Sequence, residues 1–214
     1  MKRYCWKRFW CPREGNVRLD RGFLVDPDRD HGEIYNPDVK TLDAVAENAQ
    51  CMVLLGEPGM GKSTAVEEAV ESAKARAEKS GNDVSHWNLN SFGGEDRLIR
   101  TVFESADVRR WLSGTKRLEL FLDSLDECML HIKHTAMLLL SQLQSLPAER
   151  LDLRIACRTA EWPEMLETGL SELFRKPEAV DANLKVVELS PLRRVDVMEA
   201  ANAEGLDGER FLSE

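Results

Sequence analysis

Apolar residues in this chain fall into short dense runs separated by longer stretches of helical period. The runs Cys51–Leu55, Val84–Leu89, Leu118–Leu122, Leu153–Cys157 and Leu184–Val187 predict strands. Between them, Lys62–Lys79, Glu95–Phe103, Leu130–Leu146 and Trp162–Phe174 predict helices, and a last helix begins at Arg193. This alternation predicts an α/β fold whose five-stranded, mainly parallel sheet is covered by helices on both faces. Ahead of the first strand, Val39–Asn48 also has helical period, whereas Asn16–Asn36 is rich in Asp, Gly and Pro and favours turns and short extended pieces. No internal repeat or low-complexity segment interrupts the pattern.

A chain of 214 residues, 43% hydrophobic, can bury one substantial core. The expected division is a leader at 1–39, a core at 40–190 and the start of a helical subdomain at 191–214, cut short, so that the chain reads as a fragment of something longer. No uncharged apolar run reaches the roughly 18 residues of a membrane span. The basic start "MKRYCWKRFWCPR" is followed by no apolar stretch of signal-peptide length, so a cytoplasmic protein without a membrane partner is expected. Five cysteines without CxxC spacing argue against a disulfide framework and a zinc site. A net charge of −9 gives no broad electrostatic grip on nucleic acid. Only the leader, with Lys2, Arg3, Lys7, Arg8 and Arg13 around Tyr4, Trp6, Phe9 and Trp10, is basic and aromatic. A packed strand or partner-binding arm is favoured there over contact with nucleic acid.

The chemistry begins at "GEPGMGKST". Gly56, Gly61, Lys62 and Ser63 satisfy G-x-x-x-x-G-K-[ST], between an apolar strand and a helix as the motif requires. The segment Gly56, Glu57, Pro58, Gly59, Met60, Gly61, Lys62, Ser63 and Thr64 is expected to wrap phosphate oxygens with backbone N–H groups, aided by the helix N-terminus. Lys62 is expected to meet the β- and γ-phosphates of ATP, and Ser63 to ligate Mg²⁺. Next, "LELFLDSLDE" runs a strand into Asp123 and then Asp126 and Glu127. Asp123, at the carboxyl end of a strand, suits a magnesium site. A second carboxylate nearby suits the orientation or deprotonation of water during γ-phosphate cleavage.

With these residues in view, the chain resembles the NACHT-like branch of the STAND signalling NTPases, whose second acidic motif has the order of "FLDSLDE". Simple AAA+ motors usually place a Glu directly after the first Asp, where Ser124 stands here. The guanine-reading Asn-Lys-x-Asp of GTPases and the Gly-Gln signature of ABC transporters are both missing. The resemblance covers about residues 40–205. It implies a water-orienting acid at Asp126 or Glu127, with Glu127 preferred for its longer reach. It also implies that the strand ending at Cys157 lies between the phosphate-loop strand and the acidic strand, bringing Arg158 near the γ-phosphate. These switches usually have Ser or Thr where Cys157 stands, which leaves the hydroxyl role to Thr159 or to none. The alternative for Arg158 is a strand-end arginine paired with Glu161 or Glu164.

"VVELSPLRRVDV" resembles the same family's crossing into its helical subdomain, although Pro191 also suits an ordinary helix start. Phe23, Leu24 or Tyr35 could stack on adenine or pack in a core; Trp87, Trp111 and Trp162 read as core, and His131 and His134 as surface residues. The function implied is an ATP-binding and ATP-hydrolysing domain, alternating ATP and ADP with Mg²⁺. It would belong to a larger switch that self-associates through this core in immune or antiphage defence and senses its trigger ligand through a C-terminal region missing here. The alternatives are an AAA+ or helicase-type nucleic-acid motor or loader, and a non-catalytic scaffold holding nucleotide.

Overall fold

The run at Cys51–Leu55 is a strand with every residue buried, and it forms the spine of a parallel sheet. The computed structural model describes residues 6–47, 49–128, 131–175 and 183–212. In chain order the elements are β1 (Trp10–Pro12), β2 (Leu19–Asp20), β3 (Phe23–Leu24), α1 (Gly32–Tyr35), α2 (Leu42–Ala46), β4 (Cys51–Leu55) and α3 (Lys62–Ser80). Then come β5 (Asp83–Asn88), α4 (Glu95–Leu98), α5 (Ala106–Ser113), β6 (Leu118–Asp123), α6 (Ile132–Gln144), β7 (Leu151–Cys157), α7 (Glu164–Leu173), β8 (Leu184–Leu189), α8 (Arg194–Ala203) and α9 (Gly208–Phe211). They group into two compact units, Ala46–Val187 and Met1–Val45 with Glu188–Glu214.

The larger unit holds the strands in the order β8–β4–β7–β6–β5, the α/β sheet that the alternation predicts; in the smaller unit β1 follows the end of β8 as a sixth. Pairs β4–β7, β7–β6 and β6–β5 are parallel. Register puts Leu118, Leu120 and Leu122 beside Leu151, Leu153 and Ile155, and these beside Cys51 and Val53. All lie in one apolar cluster with Trp111, Leu139, Leu143, Leu166 and Leu170 from α5, α6 and α7. Residues of opposite parity, among them Phe121, Asp123 and Arg154, belong to the other face, as strand alternation demands. Helix α3 packs against β5, β6 and β7, burying Ala65, Val66, Val70 and Ala73. On the first face Gly169 of α7 lies so close to Leu140 of α6 that a Cβ would collide with the leucine side chain.

Three elements differ from expectation. The helix expected over Glu95–Phe103 is α4 followed by a π-helical turn, Ile99–Phe103. Helix α5 was not anticipated, although Ser105 caps it by accepting from the Val108 N–H at 3.2 Å; its eight residues make only about two turns, with Val108 and Trp111 on the buried face. Of the helix expected over Val39–Asn48, only α2 forms, and Asn48 lies outside the described residues, as does Leu130 ahead of α6. Among the described residues Cys11, Cys51, Cys128 and Cys157 are buried free thiols.

The smaller unit buries Phe9, Cys11, Leu24 and Val39 together, and the Trp10 ring is fully buried. Its polar centre is Arg193, paired with Asp196 at 2.7 Å and with Asp26 and Asp28 at 3.3 Å. Helix α8 starts three residues after Pro191, so this proline is not its first residue.

Candidate nucleotide site

The phosphate loop starts where β4 leaves the core: Gly56 is buried, whereas Glu57, Pro58, Gly59, Ser63 and Thr64 are exposed. Gly59 and Gly61 have φ of 79° and 84°, values a side chain would strain, and Gly61 occupies the N-cap of α3. That helix therefore opens at Lys62 with its first N–H groups unpaired by any capping side chain, a ready anion site.

Across the sheet, β6 delivers Asp123, only 2% exposed. Its carboxylate accepts from the Ser124 N–H at 2.8 Å and from the Ser63 hydroxyl, with Lys62 and His86 close enough to act on it electrostatically. Burial still dominates, so the carboxyl pKa is raised above its ordinary value; those four neighbours oppose the rise. Ser63 and Asp123 are thus brought together as two hard oxygen donors beside the phosphate loop. That donor set fits Mg²⁺.

Ser124 then turns the chain through the left-handed region, φ 59° and ψ 46°, unusual for a residue with a side chain. The turn starts a short 3-10 segment, Leu125–Glu127, which anchors Leu125 in the core and brings Asp126 and Glu127 toward the end of β7. Asp126 Oδ1 accepts from the Arg158 backbone N–H at 2.9 Å. Arg158 Nε lies 2.9 Å from Asp126 Oδ2, an ion pair in which no donor is aligned on that buried oxygen. Arg158 Nη2 donates to Glu127 Oε1 at 2.9 Å. The Glu127 hydrogen bond first, and the Asp126 charge next, raise the Arg158 pKa further above its ordinary range.

Strand β7 lies between β4 and β6, as the resemblance implied for the strand that presents Arg158. The expected alternative partners, Glu161 and Glu164, do not hold the guanidinium; Asp126 and Glu127 do. In place of a Ser or Thr hydroxyl, the Cys157 thiol faces Asp126, and burial followed by that carboxylate pushes its pKa up to about 12. Reading the sequence missed two neighbours of Asp123, namely His86 and Asn88. Both lie on β5, and Asn88 is in register with Asp123. Their signal was only alternation along the strand ending at Asn88.

His134 pairs with Glu95 at 2.7 Å on the surface, and His131 is exposed. Trp111 and Trp162 are core, with Trp87 packed partly buried against it. In the smaller unit Tyr35 is covered by the Arg18 guanidinium at 4.6 Å. Phe23 and Leu24 line a cavity of about 230 Å³ there, with Arg193 and Met198.

This geometry joins a phosphate loop, a strand-end Asp hydrogen-bonded to the loop's Ser, and a central strand between them. The AAA domain family matches residues 45–173, more than half of the chain.

The chain belongs to the AAA domain family. It is a P-loop NTPase of the AAA type. Searching the curated proteins finds no match. Among solved structures, the ORC1 protein of Aeropyrum pernix in complex with DNA is similar at 13% identity and a TM-score of 0.48, covering 72% of this chain and 43% of that one. A DNA replication initiation factor is similar at 13% identity and 0.47, covering 76% and 47%. PCH-2 of C. elegans is similar at 15% and 0.45, covering 77% and 42%. The chain therefore spans less than half the length of each of these. Among the described residues no helix is long and apolar enough to cross a membrane.

Proposed function

We propose that this AAA-type P-loop NTPase binds and hydrolyses ATP as the regulatory domain of a larger cytoplasmic switch of the NACHT-like STAND kind. Nucleotide state would govern self-association in immune or antiphage defence, and a region beyond this chain would sense the trigger. The observation that carries this reading is the loop after β6. A left-handed Ser124 separates the buried Asp123 from the two carboxylates that hold Arg158. Simple AAA+ motors usually have Glu where Ser124 stands.

In this reading Gly56–Thr64 cradles the phosphates, and Lys62 neutralises the β- and γ-phosphates. Ser63 and Asp123 hold Mg²⁺, which when bound offsets charge on the phosphate oxygens. Glu127 orients water, with Asp126 the second candidate for that task. Arg158 senses the γ-phosphate or stabilises the charge that develops on it. The nucleic-acid motor depends on the basic aromatic leader, and two of its rings, Phe9 and Trp10, are buried where they cannot stack on bases.

Isothermal titration of Lys62→Ala tests the site. Affinity for ATP should fall by roughly tenfold or more, the usual loss for a charge-assisted contact, with circular dichroism unchanged. Intact affinity would remove the loop from the site. Turnover of the 214-residue chain should lie well below the ~1–100 per second usual for kinases, because fast phosphoryl transfer needs a closed, water-excluding site. Turnover stimulated by DNA in a salt-dependent way favours the motor. Nucleotide retained without turnover favours the scaffold.

A further inference from the structure

Arg158 is held at its two ends in different ways. Its backbone N–H and its Nε both sit 2.9 Å from Asp126, whose side chain is only 2% exposed. The main chain is therefore hydrogen-bonded, and the root of the guanidinium ion-paired, to a buried carboxylate. The outer nitrogen Nη2 donates instead to Glu127 at 2.9 Å, between side chains 40% and 43% exposed. A guanidinium presents five donors in a rigid fork. Its outer nitrogens can move to another oxyanion while Nε and the backbone stay with Asp126.

We propose that the Arg158–Glu127 pair is a triphosphate-sensitive latch. The γ-phosphate and the Glu127 carboxylate compete for the outer nitrogens of one guanidinium, so that triphosphate, and not diphosphate, releases Glu127 to hold water. The latch rests on the reading of this site as an ATPase.

The γ-phosphate carries more charge than a carboxylate and three acceptor oxygens, and a diphosphate lacks it. The free energy that closes the latch therefore subtracts from triphosphate affinity alone. An ion pair this exposed is weak, so the γ-phosphate can outcompete it. One binding event then both places Arg158 on the phosphate and frees the carboxylate needed for cleavage.

Binding of ADP and of a non-hydrolysable ATP analogue, both with Mg²⁺, tests this on the 214-residue chain. Glu127→Gln should tighten the analogue by roughly 2- to 5-fold, the range of an exposed pair, and leave ADP unchanged. Arg158→Ala should weaken the analogue and leave ADP unchanged. In the Arg158→Ala background, Glu127→Gln should change neither. Equal affinity of Glu127→Gln and the parent for the analogue overturns the latch, as does an equal gain for ADP. A gain that persists without Arg158 also overturns it, because the effect is then repulsion between Glu127 and phosphate. A parent chain that binds neither nucleotide removes the ATPase reading and the latch together, a result distinct from the other three.

Discussion

Arg154 and Arg158 come from the same strand, one in the middle of β7 and one just past its end, and they have opposite jobs. Arg154 has a side chain 8% exposed and donates to the Gln50 and Leu153 carbonyls at 3.0 Å, with Glu119 at 3.5 Å. Burial lowers its pKa, and Glu119 chiefly counters that. Its carbonyl partners are main chain, Leu153 on its own strand and Gln50 just ahead of β4, where it also accepts the Leu153 N–H, so they cannot rearrange without unpairing the sheet. Arg158 is 40% exposed, and its outer partner sits on a short loop after β6. The same functional group is a fixed strut in one place and a movable contact in the other. What differs is whether its acceptors belong to the ladder or to a loop.

Breaking the strut should have the largest effect. Arg154→Ala leaves the partly buried Glu119 with Arg76 alone, at 3.4 Å, and takes one donor from each of two carbonyls, at a cost of about 1–3 kcal/mol read by chemical denaturation. Arg154→Met combined with Glu119→Leu should recover most of that, since an apolar replacement removes both desolvated charges. Arg158→Ala takes the ion pair from the buried Asp126 and should lower the denaturation midpoint as well, whereas Glu127→Gln, which loosens only the exposed outer contact, should leave it where it was. A comparable loss there would erase the contrast.

Smaller effects sharpen the functional end. Asp123→Asn should weaken nucleotide binding in the presence of Mg²⁺ and leave it nearly unchanged without the ion. Glu127→Gln should bind well but fail in single-turnover hydrolysis. If Asp126→Asn fails and Glu127→Gln does not, the two carboxylates exchange roles.

The smallest effect is a pH dependence. Burial raises the Asp123 pKa above its ordinary 3.8, so the folded chain keeps this proton to higher pH than the unfolded chain. The ionised group therefore costs stability as pH rises from 3.8 through the folded pKa, and the cost is complete above it. Asp123→Asn should raise the melting temperature of the nucleotide-free protein at neutral pH, and the gain should vanish as pH falls to about 4. A gain that does not change with pH would mean packing, not charge, is the cause.

Much of the site could be read from order alone. Gly56, Gly61, Lys62 and Ser63 are contiguous, and their chemistry depends on the strand before and the helix after, both visible as runs. Asp123 at the end of an apolar strand is equally local. The pairing of Arg158 with Asp126 and Glu127 was not legible, because it depends on which loops face one another once β7 inserts beside β6. Its nearer acidic neighbours in sequence, Glu161 and Glu164, looked like equally good partners. Helix α5 went unseen although Val108 and Trp111 share its buried face, because eight residues make only about two turns.

By itself, then, the order of residues determined the α/β alternation, the phosphate loop and the acidic strand end, since each rests on contacts within one strand–turn–helix segment. Tertiary structure alone decided which acids hold Arg158, that Asp123 is buried against Ser63, and that Phe9 and Trp10 are core instead of an exposed aromatic arm. The reason is physical: sheet order and burial are set by the packing of the whole chain, and that packing settles which charge meets which partner and which rings lose contact with water.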